Sequence, residues 1–546
     1  MKKLLSVIIV LTMIVAVFAG CTNNSSKPSG AQTLSVCIGP KTETIDPTLN
    51  STSDGGSMLL HSFEALLTHD NTGKLQPGQA AEMPKISEDG LVYTFTLRDG
   101  LKWSNGDALT AEDFEYTLKR LADPEVAAPY GELISMIAGF DEAHKSGGNL
   151  DALQVVAKDE KTLEITLSAP TQYFNEIMAF PATSPVNKKT IEENGDQWAL
   201  KAESYISNGA FYVAEYKDAE YILMKKNPNY WNTKNIKLDE IKFELIEDAN
   251  TIYSGYQSGR LSLVKDIPTN EIARLKADKN PEFHLDPMQG TYYVSLKVKD
   301  HEFFSNTKVR KALSLAIDRD RIANEVMEGT YTPASTFVPA GVSDPSGKSF
   351  MDTAIERNGG KGFYNIDGST YEADLEEAKK LMKEAGYENG FKVSYIFNEA
   401  SYHKPVAEAL QSMWKEIGVE VEVSAQEWNS FVTRRREGDF DVARNGWISD
   451  YDDPTSFLDL LITDNGNNDA YYSNPAYDAL MKKAAEAATV EERFEFLHQA
   501  EELAVRDDAA VIPLAYYNEF YMIKDNVKGF YHTPLGYFVF LETYIG

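Results

Sequence analysis

The spacing of apolar and polar positions changes once along the chain. Over roughly the first half, apolar residues alternate with polar ones in short runs: Thr33–Ile38, Val92–Leu97, Leu153–Ala157, Thr162–Leu167, Asn208–Val213, Tyr221–Lys225 and Ile241–Leu245. A period of two in runs this short, bounded by Gly, Pro and Asn, predicts half-buried strands. Met58–Leu67, Ala111–Leu121 and Ala249–Gly259 carry helical spacing instead, and Thr110 with Asp113 three residues on predicts a capping box at one helix start. From about Gly290 the texture becomes strand–helix–strand. Val309–Met327, Tyr371–Ala385, His403–Ile417, Gln426–Glu437, Pro475–Ala487 and Val490–Arg506 read as helices. Phe391–Phe397, Val419–Val423, Val511–Leu514 and Phe538–Phe540 read as strands. Repeated βαβ units predict a mostly parallel sheet with right-handed crossovers, whose ligands sit at strand carboxyl ends.

The stretch Asp439–Leu461 combines several signals. Phe440 and Val442 alternate with Asp441 and Ala443 as in a strand, Gly446 is expected to break the run and admit a close neighbour, and Asp453-Pro454 is expected to open a helix. A strand edge, a tryptophan and a group of carboxylates thus converge within about twenty residues, a combination suited to gripping an extended peptide by strand addition.

The apolar pattern also has one long run, Leu4–Ala19, preceded by Lys2 and Lys3 and followed by Gly20-Cys21. Sixteen residues are short for a bilayer-spanning helix, and the arrangement predicts a secretory leader. Cys21 directly after Ala19-Gly20 resembles a lipobox, so residues 1–20 are expected to be a lipoprotein signal peptide and Cys21 to carry lipid. The alternative is plain secretion with cleavage near Ala19. The polar stretch over residues 21–32 then reads as a flexible tether. The 83 acidic residues outweigh 53 basic ones, for a net charge of −30, which disfavours nucleic acid as a partner. With Cys21 lipidated, Cys37 is the remaining cysteine and no internal disulfide is expected.

Catalytic chemistry is not signalled. The eight histidines are scattered, and there is no phosphate-binding glycine loop and no nucleophile elbow. Asp464–Asp469 superficially suggests a calcium loop but lacks the spacing and closing glutamate of an EF-hand. No cofactor and no metal site are expected.

Certain motifs carry a family likeness. Leu101-Lys102-Trp103-Ser104-Asn105-Gly106, Thr110-Ala111-Glu112-Asp113-Phe114, Asn208-Gly209-Ala210-Phe211, Asn227-Pro228-Asn229-Tyr230-Trp231 and Val309-Arg310-Lys311-Ala312-Leu313 resemble the solute-binding proteins of bacterial ABC importers. Asp441-Val442-Ala443-Arg444-Asn445-Gly446-Trp447 running into Asp450-Tyr451-Asp452-Asp453-Pro454 resembles the oligopeptide-binding branch. The resemblance spans about Leu34 to the C-terminus. It implies an α/β fold of the periplasmic-binding-protein type II kind: a two-lobed clamshell of three subdomains with the ligand enclosed between lobes. Residues 33–64, 198–288 and 512–546 would form subdomain I of lobe 1, residues 65–197 subdomain II, and residues 289–511 the α/β lobe 2.

The resemblance also implies roles. Asp450 would pair the α-amino group of a peptide. Trp447 and Ile448 would offer main-chain groups. Arg444, Arg435 and His403 would face the ligand's carboxylate at different peptide lengths, and Tyr130 would line the pocket. Val264-Lys265 and the surroundings of Met327 depart from the family pattern and leave the preferred length open. Each residue also has a plainer reading: Arg435 ends a helix whose dipole favours cations, Arg444 could form an ion pair, His403 could be merely exposed, Asp450 could cap a loop, and Trp447 could be core. The implied protein is a monomeric receptor, lipid-anchored on the extracytoplasmic face of the cell membrane, that passes oligopeptides to the permease subunits of an ABC importer. A receptor for one signalling peptide or for dipeptides, and a surface enzyme acting on peptides, are the alternatives.

Overall fold

The structure, a computed structural model, describes residues 31–546 except Glu43, Ala400 and Ser401, and except the side chains of Thr269 and Asn429. The expected leader, Cys21 and most of the tether lie outside the described residues.

Alternating patterns in both halves of the chain build one eleven-stranded sheet. Its main strands are β1 (Thr33–Cys37), β2 (Phe211–Lys217), β3 (Tyr221–Lys226), β4 (Glu240–Glu244), β5 (Leu263–Val264), β6 (Phe283–Leu296), β7 (Phe391–Asn398), β8 (Val419–Gln426), β9 (Val442–Ile448) and β10 (Val511–Ile523), in the order β8-β7-β9-β6-β10-β5-β1-β4-β3-β2. Thr332–Pro333 pairs with β10 at the side. A separate four-stranded sheet over Lys85–Ile86, Val92–Thr96, Val155–Asp159 and Thr162–Thr166 packs with the helix Ala111–Ala122, whose Thr110–Asp113 capping box is formed as its spacing predicts.

Burial divides the molecule into two lobes. One core gathers Leu34, Phe95, Trp103, Trp198, Phe243 and Phe540, residues from the beginning, middle and end of the chain. Two others draw only on residues 292–515, around Tyr292, Trp414 and Val442, and around Phe337, Phe457 and Tyr477. Only the long antiparallel pair β6 and β10 runs through both lobes at length. Their register is Phe283–Pro287 against Asn518–Met522 on one side and Thr291–Ser295 against Val511–Tyr516 on the other, with a shift between Pro287 and Thr291. Met288, Gln289 and Gly290 therefore bridge the lobes without regular pairing to β10.

The sheet of the second lobe is mixed, not mostly parallel as the βαβ spacing predicts. β7 is parallel to β8 and β9, but β9–β6 and β6–β10 are antiparallel. The reason is that β6 and β10 enter from the first lobe and need no crossover helix. Two expected helices are also interrupted. Val309–Met327 resolves into Thr307–Leu315, a cap at Asp318, and a wide turn over Ile322–Val326. Val490–Arg506 is helical over Val490–Glu501 and continues as a wide turn to Asp507.

A buried ion pair holds the second lobe around the stretch of interest. Arg493 donates from Nη1 and Nη2 to Asp453, both at 2.7 Å, and both side chains are under a tenth exposed. Asp453 Oδ1 also accepts from the Thr455 amide and hydroxyl, so the expected helix start is real but begins at Thr455 and is short. Arg493→Met strands a buried carboxylate and is expected to destabilise this lobe by about 3–5 kcal/mol. The double variant with Asp453→Leu should recover part of that loss. Urea denaturation followed by tryptophan fluorescence checks both.

Candidate functional site

Strand β9 positions the residues singled out by sequence. It runs through Gly446 rather than breaking there. Gly446 is required for a different neighbour than a backbone: a Cβ at that position would land on the Tyr517 hydroxyl. β7 flanks β9 only at Tyr395↔Val442 and Ile396↔Ala443. Beyond Ala443, on the side away from β6, no described strand pairs with β9, so the edge Arg444–Ile448 is open.

The register decides which main-chain groups face that open edge. The Ser449 amide donates to Gln289 O at 2.7 Å, and the ladder pairs Thr291 with Trp447 and Tyr293 with Asn445. Because hydrogen-bonded and non-hydrogen-bonded pairs alternate in an antiparallel ladder, the polar main-chain groups of Trp447 are spent on β6. Those of Gly446 and Ile448 point outward, the Gly446 amide being taken by Asn445 Oδ1 at 2.8 Å. The expected contribution of Trp447 therefore shifts to its neighbours. Its indole packs against the second-lobe core and donates to Ser456 Oγ at 3.3 Å.

The same serine fixes Asp450. Ser456 Oγ accepts from the Asp450 amide at 3.0 Å, placing the carboxylate just past the end of β9. Tyr130, reaching across from the first lobe, donates to Asp450 Oδ1 at 3.3 Å with its ring edge-on to Phe180. Among the described residues no cation is paired with Asp450, and burial pushes its carboxyl up to about 7. A cavity of about 490 Å³ opens beside it, walled by both lobes. Next to it, Tyr173 of the first lobe stacks on Tyr451 at 5.0 Å and lies under Arg493.

At the other end of β9 the situation is inverted. Arg444 donates to Tyr517 Oη at 2.9 Å and lies 5.1 Å from the Tyr292 ring centre, but no described carboxylate pairs with it and its buried Nε has no acceptor. Four tyrosines, Tyr292, Tyr331, Tyr395 and Tyr517, surround it. His403 is buried, not exposed. Its Nδ1 lies 3.1 Å from Tyr292 Oη, and burial, with Arg444 second, pushes its pKa down to about 3, so the ring is neutral.

Arg435 does not join this group. Its Nε lies 2.9 Å from Asp469 and its Nη1 donates to Asn445 Oδ1, so an ion pair within the lobe occupies it. Asp469, which suggested a calcium loop, is the partner. Among the described residues no group of three or more His, Cys, Asp or Glu could hold a metal ion. Lys265, one of the departures from the family pattern, is committed to Glu519 at 3.2 Å.

Sequence reasoning missed the tyrosine cluster. The doublets Tyr292-Tyr293 and Tyr516-Tyr517 are its signal, because neighbouring strand residues face opposite sides and one of each doublet must face the site.

Comparison with known proteins identifies the family. The profile of the family described as bacterial extracellular solute-binding proteins, family 5 middle, matches residues 74–469. The Bacillus subtilis dipeptide-binding protein DppE is 33% identical, over 95% of this chain and 94% of that protein. The oligopeptide-binding protein OppA of the same organism is 31% identical, over the whole of both. The crystal structure of Haemophilus influenzae OppA in complex with the peptide RPPGFSPFR superposes with a TM-score of 0.79 at 31% identity, covering 95% of this chain and all of that one.

Proposed function

The chain belongs to the bacterial extracellular solute-binding proteins of family 5, and from that premise we propose that it is a receptor that captures oligopeptides outside the cytoplasm and delivers them to the permease of an ABC importer. One observation carries the reading. A buried carboxylate without a cation and a buried guanidinium without a carboxylate stand at opposite ends of one open strand edge. A peptide in extended conformation supplies what each lacks: an ammonium for Asp450, a carboxylate for Arg444 and main-chain partners for the Gly446 carbonyl and for Ile448. Because main-chain hydrogen bonds are blind to side chains, selection rests on backbone and termini. The buried ends matter because an unpaired charge is costly to hold out of water.

Tyr130, Tyr173 and Gln289 join the lobes around the site, and β6 and β10 supply the hinge at Met288–Gly290. Residues 33–64, 198–288 and 512–546 are assigned to subdomain I of the first lobe, 65–197 to subdomain II and 289–511 to the second lobe. The receptor acts by binding, without catalysis. No helix among the described residues is long and apolar enough to cross a membrane, and lipid on Cys21 is the proposed attachment, with the body a monomer at the membrane's outer face.

Native mass spectrometry of the purified chain from residue 31 tests the reading. Peptides of several sequences should co-purify. A single defined peptide would instead mark a signalling receptor, dipeptides alone a dipeptide receptor, and shortening of added peptides an enzyme.

A further inference from the structure

The lobes meet through hydrogen bonds away from the hinge as well as at it. Tyr130 crosses to Asp450 at the amine end of the open edge. A second crossing is made by Lys276, on the first-lobe helix Thr269–Ala277. Its Nζ donates to Glu328 O at 3.0 Å and to Gly329 O at 2.7 Å, both in the second lobe.

Each side of this contact is anchored in its own lobe. Ile272 and Leu275 hold the lysine's helix in a first-lobe core with Ile252 and Met522. The two carbonyls follow the wide turn Ile322–Val326, where Ile322 and Met327 pack into the second-lobe core around Tyr292 and Trp414. The chain then reverses through two left-handed residues, Glu328 at φ +54° and Gly329 at φ +65°. Carbonyls that end a helical segment have no donor within it and favour a cation. Here the cation comes from the opposite lobe. Among the described residues no carboxylate pairs with Lys276, although acidic residues outnumber basic ones by 83 to 53.

Gly329 shows how close the fit is. A Cβ there would lie 2.6 Å from Lys276 Nζ, so glycine is required both by its positive φ and by the ammonium beside it. Two residues on, Tyr331 reaches the carboxylate end of the open edge. Its ring centre lies 5.4 Å from that of Tyr517, the hydroxyl partner of Arg444, and 6.1 Å from that of Tyr402. The stretch Glu328–Tyr331 therefore ties the crossing at Lys276 to the surroundings of Arg444, as Tyr130 ties the first lobe to Asp450.

Resting on the receptor reading above, we propose that Lys276 is a clasp for the closed receptor: a positioning residue that touches no part of the peptide and holds the lobes together near its carboxyl end. The contact requires the lobes to be together, so it stabilises the closed state alone and strengthens the binding of any peptide that the closed state encloses. Its effect is blind to the peptide's sequence and termini, unlike that of Asp450 and Arg444.

The test titrates pentaalanine and its C-terminal amide calorimetrically into the ligand-free chain, with dissociation followed by stopped flow. Lys276→Met should weaken both peptides by the same factor, about five- to tenfold, and the loss should appear as faster dissociation. Lys276→Arg, which keeps a donor, should recover most of it. Gly329→Ala displaces the ammonium from the other side and should weaken both peptides at least as much. Adding Lys276→Met to it should then cost no further affinity, because the two substitutions remove one contact. Wild-type affinity in Lys276→Met, or losses that add up in the double variant, overturns the clasp. So does a loss confined to the free-acid peptide, which would make Lys276 a contact of the ligand's carboxylate. Failure of wild type to bind either peptide overturns the receptor reading, and the clasp with it.

Discussion

Asp450→Asn weakens capture of peptides with a free amino terminus by at least about thirtyfold and, at the same time, stabilises the ligand-free protein. The two effects have one cause. The carboxylate is buried with a tyrosine donor, Tyr130, and burial pushes its pKa from 3.8 to about 7. The folded state therefore binds more protons than the unfolded chain between those two values. Stability falls as pH rises through that window and stays reduced above it. Asparagine cannot ionise and escapes this cost. At pH 8 the variant should be more stable by up to about 4 kcal/mol, from roughly three units at 1.36 kcal/mol each, and the gain should vanish below about pH 4. Thermal scans of ligand-free protein at the two pH values read this directly. In the complex the same carboxylate faces an ammonium, and losing one partner of a buried pair costs about 2–5 kcal/mol, or about thirtyfold to several thousandfold in affinity. Wild-type binding should weaken as pH falls below about 7, where the carboxyl must lose a proton to engage the ligand, and this proton release is measurable by calorimetry in buffers of different ionisation enthalpy. N-acetylated peptides should bind wild type and variant equally weakly. Retention of wild-type affinity for free-amine peptides by Asp450→Asn sinks the assignment.

The family resemblance of the motifs around Asp450 and Arg444 is what pointed to these residues and to His403. The strand and short helix that carry Asp450 and Arg444 are written in consecutive residues, whereas His403 reaches Tyr292 from another segment. What was not legible depends on pairing between distant segments. Arg435 looked equivalent to Arg444, both being arginines near β9. Nothing local says that Asp469 reaches back to neutralise one and not the other. Trp447 looked like a main-chain partner until the register with β6 showed that its groups are used. The mixed sheet was hidden in the same way: helical crossovers announce parallel strands, but β6 and β10 return from another lobe and leave no local signature. Gln289 sits in the irregular link between the halves of β6, where neither periodicity nor motif marks it.

Arg444 sets the second large expectation, which concerns length. It stands six positions before Asp450, which lies just past the end of β9, a span of about 20 Å at roughly 3.3 Å per residue. The long arginine side chain can shorten the span between the two charges. A peptide lying extended beside this edge with both termini engaged therefore has roughly four to six residues. Within that range, peptides ending in a free carboxylate should bind wild type at least about tenfold more tightly than their C-terminal amides, because a carboxylate completes a buried guanidinium that now has only a tyrosine hydroxyl as acceptor. Arg444→Met should erase this preference. It should leave the ligand-free fold as stable as wild type or more so, since removing a buried charge with no partner relieves a desolvation cost. Arg435→Met should do the reverse: it strands Asp469 and lowers stability while the preference for free carboxylates persists. Calorimetry with alanine peptides of three to eight residues, free and amidated, separates the two arginines. If Arg444→Met keeps the carboxylate preference at every length, the ligand's carboxyl end lies elsewhere. The neutral His403 and the tyrosines around Arg444 would then have to be explained as core packing, leaving a buried guanidinium with no counter-ion in either state of the receptor.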